Sequence, residues 1–128
     1  RAIGNGDASN PLAKSGHDRF NPHMNGGYRH EFGSLLDATR ELACDHPNRD
    51  LILHLIAGHH GNARPHFKEQ GYDRETAIKT CQEAALDNMR RFGHLQARYG
   101  WWGLAYLEAL LKAADALVSA GIVKGDGQ

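Results

Sequence analysis

The sequence predicts an all-α protein. Apolar residues recur at three- and four-residue spacing in four separate windows, no window alternates with period two, and proline or glycine punctuates the window ends. The expected architecture is a helical bundle over residues 30–121, preceded by a loop-rich connecting segment, 1–29, and followed by a flexible tail, 122–128. No internal repeat is present.

Residues 1–29 are rich in Gly, Asn, Asp, Ser and Pro, and only Pro11-Leu12-Ala13-Lys14 suggests a short turn of helix. From His30 to Ala43 the positions of Phe32, Leu35, Leu36, Leu42 and Ala43 suit an amphipathic helix. Pro47 interrupts the chain, Asn48 is placed to cap a second helix from Arg49 to about His59, and Gly61 is placed to end it. The stretch from Asn62 to Phe67 is a connecting loop. Asp73 is placed to cap a long third helix, in which Thr76, Ala77, Ile78, Cys81, Ala84, Ala85, Leu86 and Met89 keep helical spacing. A fourth helix is expected from about Trp102 to Ala120, ending at Gly121. Its buried stripe is expected to be Leu104, Leu107, Leu111, Ala114 and Val118. Trp101, Trp102 and Tyr99 offer base-stacking rings, but the plainer expectation is that they staple this helix to the core. Arg90, Arg91, His94 and Arg98 are expected on a solvated face, with guidance of a DNA backbone as the alternative, and His54 is expected packed or partly exposed inside the second helix.

With 128 residues the chain suffices for one domain with a real core. Its formal net charge is zero, so a global basic footprint for nucleic acid is absent and only a local patch remains open. Cys44 and Cys81 lie far apart without a Cys-x-x-Cys pairing, which argues against a zinc knuckle or a disulfide scaffold and suits a cytoplasmic protein. No apolar stretch approaches the roughly 20 residues a membrane span needs. The chain begins at Arg1, and it is expected to be a piece of a longer polypeptide or a processed product.

The chemistry concentrates in histidine, of which there are nine. The apolar run Leu51 to Gly58 ends in His59-His60, followed at once by Gly61. Successive helical residues diverge by about 100°, so paired imidazoles converge only where the chain turns. His30 opens the first helix, and Asp115 lies four residues after Leu111 on the stripe of the last. An unpaired carboxylate there would be costly to desolvate and needs a cation or donors. Three imidazoles and a carboxylate suit manganese, iron, cobalt, nickel or zinc. Taken singly, each has a plainer reading: one core and one solvated histidine, a surface His30, and an Asp115 hydrogen-bonded or paired with arginine.

Together, Arg29-His30-Glu31-Phe32-Gly33-Ser34-Leu35, Ile56-Ala57-Gly58-His59-His60-Gly61-Asn62-Ala63-Arg64-Pro65 and Trp102-Gly103-Leu104-Ala105-Tyr106-Leu107-Glu108-Ala109-Leu110, running into Asp115 and Ser119, resemble the later part of the HD nuclease domain of type I CRISPR-associated helicase-nucleases. The resemblance spans the chain from Leu12 to Ala120 and keeps the family's motif order. It implies an HD-type helical fold, incomplete at its N-terminus here, and cleavage of single-stranded DNA with up to two divalent ions (Mn, Ni, Co, Fe or Mg). By the same resemblance His30, His59 and His60 would serve one metal and Asp115 the other. Ser119 would steady Asp115 or face the substrate, and Arg64 would contact a phosphate. The implied partners are single-stranded DNA, a helicase domain and a CRISPR surveillance complex, with no membrane.

The family's early histidine and its His-Asp dyad belong N-terminal to the segment containing Lys14. His17-Asp18 has the right residues in a loop setting and is read as a bystander. The chain by itself is therefore expected to have little or no nuclease activity. Two rival expectations stand beside this one: a metal-dependent phosphohydrolase acting on nucleotides, and a helical interaction module without metal.

Overall fold

The computed structural model describes residues 29–121, and there the chain is all-α: α1 (His30–Glu41), α2 (Arg49–Gly58), a 3₁₀ turn (Glu69–Gly71) and α3 (Ile78–Ser119). The Pro11–Lys14 turn, His17, Asp18 and the 122–128 tail lie outside the described residues. Among the described residues no helix is long and apolar enough to cross a membrane.

Extended Arg29 leads into α1, whose first turn carries Glu31 and whose last carries Arg40, both favourable to the helix dipole. The helix stops at Glu41, short of Ala43, because Leu42 turns extended. Its terminal carbonyls do not go begging. Arg49, the first residue of α2, donates through Nη2 to the Thr39 carbonyl at 2.9 Å and through Nη1 to that of Leu42. Asn48 stands at the N-cap of α2 without a side-chain capping bond; its backbone N–H donates to His46 Nδ1 at 3.2 Å. At the other end Gly61 adopts φ 81°, the left-handed geometry that ends a helix and favours glycine.

The core forms where α1, α2 and the start of α3 meet, from Phe32, Leu35, Leu36, Leu53, Ala57, Cys81 and Ala85. Phe32 stacks on Tyr72 with ring centroids 4.9 Å apart and meets Phe67 edge-on at 4.8 Å. This packing holds the 3₁₀ turn against the start of α1, where the Arg29 N–H donates to the Gly71 carbonyl at 3.2 Å. A Cβ on Gly71 would come within 2.9 Å of Arg29 Cγ, so the close approach requires glycine.

Asp73 caps the turn ahead of α3 rather than the helix: its carboxylate accepts from the Glu75 N–H at 3.2 Å and the Thr76 hydroxyl at 2.7 Å, and α3 begins at Ile78. The third and fourth helices expected from the sequence run into one another and meet at a break, Gly100, with φ 73° and ψ 168°. The first half is stitched down by buried Leu95 and by Asn88, whose amide donates to the carbonyls of Ala63 at 3.2 Å and Pro65 at 2.7 Å. Arg91 also belongs to this inner side, contrary to the solvated face expected for it: its side chain is 10 % exposed, it faces Asp50 at 3.5 Å, and burial lowers its pKa. Arg90, His94 and Arg98 are exposed as expected.

The second half of α3 departs from the sequence reading. Leu104 is fully buried and Leu107 half-buried, but Leu111, Ala114, Asp115 and Val118 are exposed. The physical reason is length. The ten residues of α2 span about 15 Å and cannot cover the 42 residues of α3. Trp101 and Trp102, expected to staple this helix to the core, are instead 76 % and 89 % exposed.

Replacing Asn88 by alanine should free the Ala63–Pro65 loop and cost about 2 kcal/mol, since the buried Ala63 carbonyl and the half-buried Pro65 carbonyl lose their donor. Urea unfolding followed by far-ultraviolet circular dichroism checks this, with the midpoint expected to fall and the slope to stay unchanged.

Candidate metal centre

His30 enters from the first turn of α1, and His59 and His60 from the turn that ends α2. Gly61 bends the chain there, so two consecutive imidazoles lie with ring centroids 3.9 Å apart instead of diverging around a helix. The His30 ring meets that of His60 at 4.6 Å and that of His59 at 5.6 Å. One nitrogen from each of the three can be chosen so that all lie within 4.8 Å of one another. The site is shallow, with His30 and His60 exposed and His59 partly buried.

Each ring is oriented by a further contact. His59 Nδ1–H donates to the Ile56 carbonyl at 2.7 Å, which leaves Nε2 with a lone pair. His30 Nδ1 lies 3.6 Å from the carboxylate of Glu31, which is 1 % exposed and also faces the Asn62 amide at 3.4 Å. His30 Nε2 and His60 Nε2 are 2.8 Å apart, so one donates and the other accepts. The consistent assignment places a proton on His30 Nδ1 toward Glu31 and another on His60 Nε2 toward His30.

This donor set fits a transition metal. Two nitrogens each about 2.1 Å from one ion would stand about 3.0–3.4 Å apart, close to the His30–His60 separation. A metal would need the His60 proton moved to Nδ1, with no further charge to remove. Burial is the main influence that lowers the pKa of both His30 and His60 from the ordinary 6.5; His59 adds to it, and the charges of Glu31 and Asp115 oppose it. The rings are thereby biased toward the neutral form that binds metal.

Asp115 is near enough for its charge to register on both histidines, but its carboxylate does not join the three converging nitrogens. It sits on the exposed second half of α3, as does Ser119. Arg64 is placed on the far side of a different cluster. Its Nε donates to Glu108 Oε2 at 2.8 Å, and its guanidinium lies over the Phe92 ring at 5.9 Å. The other Glu108 oxygen accepts from His54 Nε2–H at 2.6 Å.

Sequence reasoning left two of these groups without a role. Glu31 was visible only as the neighbour of His30; a carboxylate beside a helix-opening histidine is the available signal for an orienting partner. His54, read as packed or partly exposed, is fully buried on Glu108, with its Nδ1 lacking a partner. A polar ring inside the run Leu51 to Ile56 signals that a partner is needed, although not which one.

Comparison with protein-family models, with curated proteins and with solved structures yields no match.

Lowered imidazole pKa values fix the sign of an acid effect. Below pH 6.5 the unfolded chain takes up protons that folded His30 and His60 resist, so their contribution is full above that pH and lost as pH falls through the lowered values. Equilibrium unfolding at a series of pH values between 7 and 5 should show this decline. The His30→Gln, His60→Gln double variant should flatten it.

Removing the Glu108 carboxylate as Glu108→Ala should cost about 3 kcal/mol, because buried His54 is left with no partner at either nitrogen. The midpoint of urea unfolding measures that loss.

Proposed function

We propose that this chain forms part of a metal-dependent nuclease centre that acts on single-stranded DNA, of the HD kind found in type I CRISPR-associated helicase-nucleases. The observation that carries the proposal is the convergence of His30, His59 and His60, with Nε2 of His59 freed by the Ile56 carbonyl. His30, His59 and His60 would hold one divalent ion (Mn, Ni, Co, Fe or Mg), while Asp115 would serve a second and Ser119 would steady it. When bound, such ions would act as Lewis acids, polarising a phosphate oxygen and making water easier to deprotonate.

The remaining roles belong to the chain's own groups. Glu31 orients His30 and tempers the charge of the cluster. Arg64 is 41 % exposed beyond its bond to Glu108, which leaves part of its guanidinium available to a phosphate. A helicase domain and a CRISPR surveillance complex are the proposed partners, in the cytoplasm. Among the described residues no carboxylate lies within the imidazole cluster to bridge two ions, and so the chain alone is expected to bind metal with little or no cleavage.

A second reading, a helical interaction module without metal, is favoured by one observation: Leu110, Leu117 and Val118 lie exposed at the end of α3. Titration calorimetry separates the two. The native chain should bind one equivalent of Ni²⁺ or Mn²⁺. Glu31→Gln should weaken binding by about 10–100-fold, the usual effect of losing an orienting partner. His59→Ala with His60→Ala should weaken it further or abolish it. Equal heats from the native chain and the double histidine variant would remove the metal reading and leave the module.

A further inference from the structure

Half of the chain's ten Phe, Trp and Tyr residues fall between Asn88 and Leu107: Phe92, Tyr99, Trp101, Trp102 and Tyr106. That stretch contains Arg90, Arg91 and Arg98 and not one Asp or Glu. Aromatic rings interleaved with arginine, and free of carboxylates, are the composition of a surface that meets both bases and phosphates. In the fold Arg91 is buried against Asp50 and Arg90 pairs with Asp87 at 3.1 Å, so Arg98 is the cation of the stretch left to meet a ligand.

The fold exposes this stretch at its middle. Gly100 breaks α3, and the next two residues are the only tryptophans of the chain, Trp101 and Trp102, 76 % and 89 % exposed. Tyr106, one turn beyond Trp102 and on the same helix face, is 63 % exposed. Arg98 lies over the Tyr99 ring at 5.2 Å, and among the described residues no carboxylate pairs with it. Glu108, the first acidic residue beyond the stretch, is turned inward and held by His54 and Arg64, so it presents little negative charge to the rings. Large rings left in water at this level are costly unless something covers them, and Arg98, with no carboxylate of the described residues paired to it, favours a ligand that carries negative charge.

We infer that Trp102 and Tyr106, with Trp101 at the Gly100 break and Arg98 just before it in the chain, form a platform that stacks on the bases of single-stranded nucleic acid. The rings supply sequence-tolerant stacking and Arg98 the attraction to the strand. This rests on the proposed function for the class of ligand, yet its residues and its readout are separate from the imidazole cluster. Double-stranded nucleic acid is a poor fit, since its base faces are already stacked.

Because both tryptophans belong to the platform, their fluorescence reports on it alone. Oligothymidylate should quench that fluorescence and bind at least about fivefold more tightly than an abasic strand of equal length and charge, the least that one stacked base contributes. Trp102→Phe should retain binding and Trp102→Ala should lose about fivefold or more, with circular dichroism unchanged because the side chain lies outside the core. The same measurements in EDTA, with no divalent ion for the imidazole cluster to hold, should give the same preference over the abasic strand, so loss of the metal reading would leave this inference standing. Equal affinity for the abasic strand, or no quenching, would overturn it. So would sedimentation as a dimer whose tryptophans are shielded from acrylamide, which would assign the rings to a second copy of the chain.

Discussion

Glu108 is the residue on which the arrangement turns. Its two carboxylate oxygens face in different directions, one to His54 inside α2 and one to Arg64 on the loop that follows the histidine pair. Past the Gly100 break, the second half of α3 buries little among the described residues: Leu104 is buried, Leu107 half so, and Ala109 to Ser119 are exposed. A single carboxylate thus joins the second half of α3 to α2 and to the loop that follows it. Such a pair specifies an orientation more than it adds stability, because desolvating it offsets much of the attraction. Where the helix carrying Asp115 points is settled here.

The imidazole cluster depends on different and more local devices. Gly61 turns the chain so that His59 and His60 converge, Phe32 and Tyr72 hold the start of α1 in place, and Gly71 leaves room for the side chain of Arg29, the residue before His30. Each fixes a rigid element that bears one of the imidazoles. Asn88 adds the tether of the Ala63–Pro65 loop, which places Arg64 opposite Glu108.

Much of this was legible in the sequence because local rules governed it. The limits of α2 follow from Pro47, Asn48 and Gly61, and the helical class follows from apolar spacing. The convergence of consecutive histidines was also readable, since a helix end is the one place where it can happen. What could not be read was partnership. Periodicity marks Leu111 and Val118 as one apolar face of a helix, but says nothing about whether another element is long enough to reach it. The same holds for His54: its burial demanded a partner, and Glu108, 54 residues later, is a choice only the fold reveals. Trp101 and Trp102 fail in the opposite sense, since bulk and apolarity predict an inside place that the Gly100 break denies them.

The break at Gly100 also ranks the parts of the molecule by how firmly they are held. Helix on its near side is pinned by Leu95, Asn88 and Arg91, whereas among the described residues helix on its far side is held chiefly by buried Leu104, half-buried Leu107 and the Glu108 carboxylate. Opening energies follow such attachments, so the far arm is the segment that yields first. Asp115 rides on that arm. Any ligand drawing it toward the histidines must also hold the arm still, and its apparent affinity is reduced by the fraction of time the arm spends elsewhere. Whatever packs against the arm would tighten that ligand's grip without touching it.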